Sequence, residues 1–292
     1  MECYLCLPSR LWRLLARMAL AVLVGASQVA NALTVQLLGA GQGSEAFVRA
    51  LRAELGEGDR LITGPGSADV VVALHEGVLV EARTSQRPRF LLLPAAGLDL
   101  QPGESALYWA PSLTDQLRLA QVIMPGLRRV GLLVAPADVA RAHALRSAAA
   151  GRRIEVLVRE AEPALLARQV GEVAPTADLL LAPVDSLLFS RDNLKPVLLA
   201  AYRQNRVFIG PTPAWVRAGS LASLYATPET LAADVAEAVR AWQQNGRWPA
   251  PAPVSRFDVI TNPQVARSMG LRLPDADSLT RSLRSGKGVV WP

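Results

Sequence analysis

Short runs of apolar and β-branched residues alternate with amphipathic stretches along most of the chain. The apolar runs, which we predict to be strands, lie at 33–38, 70–74, 90–93, 130–134, 154–158, 179–182 and 207–209. The amphipathic stretches, which we predict to be helices, lie at 44–55, 78–82, 137–150, 163–170 and 193–204. Because strands that are apolar throughout are typical of sheets buried on both faces, the alternation predicts an α/β fold of parallel sheets covered by helices.

Two further strand-like runs, 106–110 and 220–226, stand between the Rossmann-like units rather than inside them. We interpret them as crossover strands that join two lobes. The N-terminal lobe is then expected to comprise 33–108 and, after the chain returns, about 228–280. The C-terminal lobe is expected to comprise 109–227, with the crossovers.

The chain is predicted to return through a long helix at 228–244. Thr227 can cap this helix, Pro228 is tolerated in its first turn, and Asn245-Gly246 is typical of a helix end. The segments predicted beyond it are a proline-rich connector, a final strand, a short helix and a basic tail, at 249–253, 254–261, 263–269 and 281–292.

The first 32 residues have the organisation of a Sec-type signal peptide. Arg10, Arg13 and Arg17 precede the apolar run 18–26, and small residues stand where a signal peptidase cleaves, which places cleavage after Ala32. The alternative is a retained membrane helix, but the run is about half of the ~20 residues that span a bilayer. We therefore expect export to the periplasm.

Composition narrows the possible chemistry. The chain has 292 residues, of which 51% are hydrophobic and 19% charged, and this balance excludes a disordered protein. Cleavage would remove both cysteines, Cys3 and Cys6, so that the mature chain has no disulfide, thiol nucleophile or lipid anchor. With two histidines, His75 and His143, it cannot build a Cys/His zinc site, and we predict no metal and no cofactor. Arginines scattered along helices, without a nucleic-acid motif, argue against binding to nucleic acid.

Four segments resemble the ABC-transporter substrate-binding protein family whose better-known members bind tryptophan or tyrosine. They are PSLTDQLRLAQVIMPGLRRVGLLVAP, DLLLAPVDSLLFSRDN, RVFIGPTPAWVRAGSLASLYATPE and FDVITNPQVARSMGLRLP, at 111–136, 178–193, 206–229 and 257–274. The resemblance implies a type I periplasmic-binding fold, in which two lobes joined by three crossovers close on a small ligand. The N-terminal lobe departs from the family, because the segment 82–105 is compact and lacks an Asp-Pro loop.

Candidate ligand-binding residues in the first lobe follow its predicted strands. The turn Gly39–Ser44 comes after the first strand and opens a helix, so that Gln42, Ser44 and free backbone N–H groups could hold a carboxylate. The glycines are spaced GxGxG rather than GxGxxG, which excludes a dinucleotide site. His75 and Glu76 follow the third strand, where a ligand could contact them. The alternatives are a tight turn without a ligand and an ordinary surface loop.

The second lobe and the crossovers supply the other candidates. Asp185, with Ser186 beside it, ends a strand and matches an acidic position in the family, where it could pair with a ligand ammonium group. Its alternative role is a cap for a helix that begins at Leu187. Aromatic residues that could stack on a ligand, or simply pack at the hinge, are Tyr108, Trp109, Trp215 and Tyr225.

We expect a periplasmic solute-binding protein of an ABC-type uptake system, whose ligand is a small organic solute, by analogy an amino acid. Its partner would be a membrane permease. The alternative is a sensory or adaptor subunit that partners a membrane receptor kinase or an outer-membrane uptake system, motivated by the reduced first lobe. An enzyme is not expected, because Ser186 lacks a G-x-S-x-G elbow and the histidines do not follow in triad order.

Overall fold

The computed structural model describes residues 32–185 and 187–285, which form two six-stranded sheets, each with covering helices. This confirms the predicted α/β fold with two lobes. The proposed signal peptide, Ser186 and the last seven residues of the basic tail lie outside the described residues. No helix in the described part of the chain is long and apolar enough to cross a membrane.

The first part of the chain builds most of one sheet. Its elements are β1 (Thr34–Leu38), α1 (Glu45–Glu54), β2 (Arg60–Ile62), β3 (Val70–Ala73), α2 (Leu79–Thr84), β4 (Arg89–Leu93) and β5 (Glu104–Tyr108). Every residue of β3 and β4 is buried, because helices cover both faces of the sheet. The sequence analysis counts 70–74 as the third strand, and β2, a short and partly exposed edge strand, is the second.

The middle of the chain repeats this arrangement in a second sheet. Its elements are α3 (Leu113–Ile123), β6 (Arg129–Val134), α4 (Val139–Ala150), β7 (Glu155–Glu160), α5 (Leu166–Val173), β8 (Leu179–Leu181), α6 (Arg191–Arg203), β9 (Val207–Ile209), α7 (Pro213–Ala218) and β10 (Ala222–Tyr225). Ser112 caps α3, with its Oγ accepting a hydrogen bond from the Asp115 N–H at 3.0 Å.

The last part of the chain is divided between the two sheets. Its elements are α8 (Pro228–Asn245), β11 (Ala252–Pro253), β12 (Asp258–Thr261), α9 (Pro263–Ser268) and α10 (Ala276–Ser285). Thr227 and Thr230 form a capping box at the start of α8. The buried face of α8 packs in the core of the first lobe, as predicted for the returning helix.

Strand order shows that the two lobes have the same topology. The first sheet runs β11-β5-β4-β3-β1-β2 and is parallel throughout. The second runs β12-β10-β9-β8-β6-β7 and is parallel except for β12. In each sheet the strand order reverses once, between β1 and β3 and between β6 and β8. Crevices at such reversals are where open α/β sheets bind ligands.

Two expectations about chain organisation need correction. The runs 106–110 and 220–226 are not placed between the βα units, because β5 and β10 are hydrogen-bonded members of the two sheets and the chain changes lobe directly after them. The segment up to about residue 280 does not complete the first lobe. β12 pairs with β10, and its Val259 joins Leu279 of α10 in the core of the second lobe.

The predicted basic tail also begins as ordered structure. Residues 281–285 are the last turn of α10, in which Leu283 is buried. Arg284 donates to the Phe257 carbonyl at 2.9 Å and to the Asp258 carboxylate at 2.6 Å. These bonds attach the helix to the edge strand β12, which explains why the last turn belongs to the fold.

Candidate functional site

A cavity of about 360 Å³ lies between the lobes, beside the first passage of the chain from one to the other. The first lobe supplies Pro94, Ala95 and Ala96 after β4, Tyr108 at the end of β5, and Pro253. The second lobe supplies residues of three elements, namely Ser112, Leu113, Thr114 and Gln116 of the α3 region, Arg141, Ala144 and Leu145 of α4, and Pro183 and Val184 after β8. The wall is therefore largely apolar and is shared by both lobes.

Gln116 is the most buried polar group in this wall. It is 3% exposed and lies on the face of α3 that carries Leu117 and Ala120 into the core. Its Oε1 is buried and accepts no hydrogen bond from the described residues. Because buried polar atoms in native proteins are nearly always paired, an orphaned acceptor at a cavity wall points to a bound molecule or water that completes it.

Arg141 brings a positive charge to the same wall. Asp138, one turn earlier, accepts from Nε at 3.0 Å and from Nη2, which fixes the guanidinium in position. The Nη1 group has no acceptor among the described residues, so that two N–H hydrogens remain for a ligand. A guanidinium held this way can bind a carboxylate through charge-assisted hydrogen bonds.

The N-terminus of α3 completes the polar part of the wall. The backbone N–H groups of Leu113 and Thr114 find no acceptor in the described part of the chain, because the cap Ser112 serves Asp115. A helix N-terminus carries partial positive charge and favours a negatively charged group.

The glycine turn and His75 meet at the strand reversal of the first sheet. Gly39 has φ +83°, and a Cβ placed on it would lie 2.7 Å from Nε2 of the His75 ring. Glycine is therefore required here for the backbone conformation and for the close approach of the ring. His75 and Glu76 are exposed.

Three of the six N–H donors of the same turn, those of Gly41, Gly43 and Ser44, are satisfied within the turn or by Glu45. Ser44 Oγ accepts from the Gly41 N–H at 2.9 Å, and the Glu45 carboxylate accepts from the Gly43 N–H at 2.8 Å. Ser44 occupies the predicted cap position of α1, but its side chain makes no cap bond to that helix, and Gln42 is exposed. The carboxylate that this turn binds is therefore the side chain of Glu45, at the start of α1.

Asp185 caps the turn after β8. Its Oδ1 accepts from the N–H groups of Leu187 at 2.8 Å and Leu188 at 2.7 Å. The alternative was a helix cap at this place, but the segment that Asp185 caps is a turn, and the next helix begins at Arg191. Its neighbours Pro183 and Val184 line the cavity, whereas Asp185 is not among the lining residues. The other candidate at this position, Ser186, lies outside the described residues.

The four aromatic candidates occupy different environments. Trp215 is 3% exposed and packs between Phe208 and Phe189, with ring centroids 5.7 Å apart in both pairs, so that it is a core residue and not a stacking surface. Tyr108 lines the cavity. Trp109 packs against the core of the first lobe. Tyr225 is half-buried, and burial together with the Asp258 carboxylate raises the pKa of its hydroxyl.

Gln116 and Arg141 were missed by the sequence analysis. A glutamine on an otherwise apolar helix face was a usable signal, because such positions are normally filled by core residues. Arg141 had no comparable signal, since arginines are scattered over most of the helices. Of the predicted candidates, the cavity wall contains Tyr108, and the first strand reversal brings together His75 and the glycine turn.

Solved structures share this architecture. The chain is similar to a ligand-free, open substrate-binding protein with adhesive properties from Clostridium difficile, with a TM-score of 0.61 and 18% identity over 83% of this chain and 95% of that chain. It is similar to a conserved domain protein from Vibrio cholerae, with a TM-score of 0.56 and 17% identity over 84% and 96%. An ABC domain from Streptococcus pneumoniae in complex with L-Trp gives a TM-score of 0.54 and 11% identity over 84% and 96%.

At these identities the similarity defines the fold alone. The protein has the type I periplasmic-binding-protein fold, in which two α/β lobes of like topology face each other across a cleft. No protein-family model matches the chain, and no curated protein sequence does.

Proposed function

We propose that this protein is a periplasmic solute-binding protein of an ABC-type uptake system, which binds a small organic solute between its lobes and delivers it to a membrane permease. The observation that carries the proposal is the cavity of about 360 Å³ with walls from both lobes. Its mostly apolar lining with a few polar groups is typical of small-molecule sites. The fold, shared with a substrate-binding protein, supports the same function.

The arrangement of the cavity suggests how binding would be signalled. A solute that touches Tyr108 of one lobe and Arg141 of the other makes its full set of contacts only when the lobes are closed. Such a ligand stabilises the closed form by its difference in affinity for the two forms. The closed form would then be the one that the permease recognises.

Export is the second part of the proposal. It rests on the signal peptide predicted for residues 1–32. Mass spectrometry of the protein recovered from the periplasm tests this, and we expect an N-terminus at Leu33. An intact N-terminus, or recovery only from the cytoplasm, would contradict the proposed location.

Binding can be tested by a thermal-shift screen of the purified protein against amino acids, purines, organic acids and sugars. A ligand at ~100 times its Kd adds ~2.7 kcal/mol to the free energy of unfolding, which gives a clear rise in Tm. Solution scattering should then show a smaller radius of gyration with the ligand than without it. A ligand that binds without compaction would contradict closure of the lobes.

Two tryptophan substitutions on α4 test whether the cavity is the site. Ala144 is exposed and lines the cavity, so Ala144→Trp should fill it and abolish binding without disturbing the core. Ala148 lies one turn later, is also exposed and does not line the cavity, so Ala148→Trp is the matched control. Equal loss of binding in both variants would show that the solute does not bind in this cavity.

Asp185 remains a candidate ligand-binding residue within this proposal. Because its Oδ1 caps a turn, Asp185→Ala would confound lost binding with lost structure. Asp185→Asn keeps an acceptor for the cap and removes the charge. A loss of solute affinity in this variant, with Tm unchanged, would assign the carboxylate to the ligand.

The sensory or adaptor alternative predicts that no solute in the thermal-shift screen binds. If no solute in the panel raises Tm or compacts the protein, the cleft is not a solute site, and the proposal fails. Co-purification with a receptor kinase or an outer-membrane protein, rather than with a permease, would then favour the alternative.

A further inference from the structure

The described wall of the cavity contains a basic side chain and no acidic one, and the acid that pairs with this base, Asp138, lies outside the wall. Among its described lining residues Arg141 is charged and none is acidic. The nearest acids along the chain are already engaged, since Asp115 accepts from Ser112 Oγ at 2.6 Å and from Arg118 at 3.2 Å. Asp138 accepts from Arg141 itself. A ligand in this cavity therefore meets donors that suit an anion and no carboxylate that suits a cation.

We propose that the cavity binds a small organic carboxylate that has an apolar body and an uncharged hydrogen-bond donor, such as a hydroxyl group, rather than an amino acid. The inference rests on the proposed function and specifies its substrate class. The carboxylate would be held by Arg141 Nη1 and by the free N–H groups of Leu113 and Thr114 at the start of α3. These donors lie on the wall of one cavity.

The unpaired acceptor of Gln116 is the reason to expect an uncharged hydrogen-bond donor on the ligand. Its buried Oε1 lacks a partner in the described chain, and a hydroxyl or amide N–H of the ligand would supply one. Rotation of the carboxamide by 180° exchanges its oxygen and nitrogen, so that the acceptor can be turned toward the ligand without moving the helix. A neutral acceptor pairs with a neutral donor at little cost, because no charge has to be desolvated.

An ammonium group is disfavoured at the same place. A buried cation needs a carboxylate partner to offset the loss of its hydration, and the described wall provides none. The Arg141 guanidinium would add repulsion between like charges. Binding of an amino acid thus includes the free-energy cost of desolvating its ammonium group, which the corresponding hydroxy acid does not have.

The apolar body of the ligand follows from the rest of the wall. Proline, alanine, leucine and valine side chains make up most of it, at Pro94, Ala95, Ala96, Ala144, Leu145, Pro183, Val184 and Pro253. Tyr108 adds an aromatic ring with a hydroxyl that has no partner among the described residues. A branched or aromatic side chain fits this surface better than a sugar, whose many hydroxyls would lack partners.

A matched ligand series tests the substrate class. The full chain, expressed with its own N-terminus and purified, is titrated calorimetrically with 3-phenyllactate, 3-phenylpropanoate, phenylalanine and 3-phenylpropanamide. The leucine-related set of hydroxy acid, acid and amino acid is measured in parallel. We expect the hydroxy acids to bind at least tenfold more tightly than the amino acids, and the uncharged amide to bind weakly.

Two substitutions separate the roles of the polar groups. Arg141→Gln should raise the Kd of both acids roughly tenfold to a hundredfold, as expected for a lost charge-assisted contact. Gln116→Leu should abolish the preference for the hydroxy acid over the plain acid while leaving the Kd of the plain acid within about threefold. A merely structural role for Gln116 would change both affinities together.

Control substitutions lie on comparable helices away from the cavity. Gln121→Leu on α3 and Arg203→Gln, an exposed position at the end of α6, should leave all affinities unchanged. Asp185→Asn is measured beside them, because the Asp185 carboxylate would be the partner of a cationic ligand. Loss of binding in that variant but not in Arg141→Gln would mean that the ligand is a cation, and the inference would be wrong.

The remaining outcomes distinguish this inference from the proposed function. Equal or tighter binding of the amino acids would overturn the substrate class but leave a solute-binding protein. Binding of sugars or purines alone would do the same. Absence of binding by every solute would overturn both.

Discussion

Glu104 at the start of β5 shows how a single residue can hold one end of a sheet. Its side chain is fully buried and accepts from Arg83 and Arg89, each at 2.9 Å, and from the Gln101 N–H at 2.8 Å. Burial by itself raises the pKa of this carboxyl, but the hydrogen bonds from Arg83, Gln101 and Arg89 outweigh it and lower the pKa to about 2. The charged form is therefore favoured in the folded protein.

Substitution of Glu104 should make stability less dependent on pH. Because the pKa is lower in the folded state, its contribution is complete above the unfolded value near 4.5 and is lost as pH falls toward 2. At pH 7, Glu104→Gln should lower the free energy of unfolding by about 3–5 kcal/mol, since two arginines lose their partner. Urea denaturation from pH 7 to pH 3 should show the deficit shrinking as pH falls.

The control for that measurement is Glu57→Gln, because Glu57 is exposed. We expect it to lie within about 0.5 kcal/mol of the parent protein at every pH. A deficit for Glu104→Gln that stays constant between pH 7 and pH 3 would show that the loss comes from packing rather than from charge.

Trp215, a candidate for stacking on a ligand, lies in the core of the second lobe and is not among the residues that line the cavity. Trp215→Ala should lower the free energy of unfolding by about 3–5 kcal/mol, because it leaves a void beside Phe189 and Phe208. Solute affinity of the folded variant should be unchanged, whereas Tyr108→Phe, at the cavity wall, should weaken binding with little effect on Tm. A large change of Kd in Trp215→Ala at a temperature where it is folded would contradict this assignment.

At the scale of elements, the turn between β1 and α1 contains a left-handed glycine, Gly39, that also lies against a side chain. Gly39→Ala should lower the free energy of unfolding by more than 1 kcal/mol, roughly 1–2 from the left-handed backbone alone. A further loss is expected from the contact between the new methyl group and His75. The double variant with His75→Ala should recover that second part and not the first.

Gly41 provides the matched control two residues away. It has no left-handed φ, and no atom lies within 4 Å of the position of a Cβ. Gly41→Ala should therefore be neutral or slightly stabilising. If Gly39→Ala were equally neutral in urea denaturation, neither the backbone conformation nor the contact with His75 would be important to the turn.

The elements differ in how far the sequence predicts them. Central strands such as β3 and β9 are predictable, because burial on both faces leaves an uninterrupted apolar run. The edge strands β2 and β11, of three and two residues, carry no such run: β2 was given no bounds, and β11 was missed because Pro253 argues against a strand. α10 was missed because its two buried leucines, Leu279 and Leu283, are separated by three polar residues.

The site is less predictable than the fold for a related reason. Strand ends give the position of a cleft, and Tyr108, proposed as an aromatic residue of the first crossover, lines the cavity there. Whether a polar group there faces a ligand depends on what the chain itself has already bonded to it. The Gly43 N–H donates to the Glu45 carboxylate, and the Asp185 carboxylate accepts from a backbone N–H of the turn that follows it. Gln116 Oε1 and Arg141 Nη1, in contrast, have no partner among the described residues. Such pairings depend on distances between atoms in the folded protein, which the spacing of residues along the sequence does not determine.

At the scale of the whole molecule, the chain passes between the lobes three times, after β5, β10 and β11. Asp234 on α8 holds the third passage, where its 7% exposed carboxylate accepts from the Ser255 N–H and Oγ, both at 2.9 Å, and from Arg256. One buried group thus connects a helix of the first lobe to the segment that leads into the second.

Removal of that carboxylate should loosen the third passage. Asp234→Ala should lower the free energy of unfolding by about 1–3 kcal/mol, because buried donors lose their acceptor. Hydrogen exchange should accelerate over 254–257. Glu237→Ala, which removes an exposed partner of the same Arg256, should cost less than about 1 kcal/mol. Equal effects of both substitutions would mean that Asp234 does not tie the passage.

The four outer strands of the sheets have a consequence for behaviour at high concentration. β11 is two residues long and contains Pro253, β2 is three residues long, and β12 is covered by α10. β7 carries charged residues at both ends, Glu155, Arg159 and Glu160. An edge strand that is short, contains proline, carries charges or is covered by a helix pairs poorly with a strand of another chain. The folded protein is therefore expected to resist fibril formation at high concentration, because the described borders of its sheets are poor sites for adding a strand from a second copy.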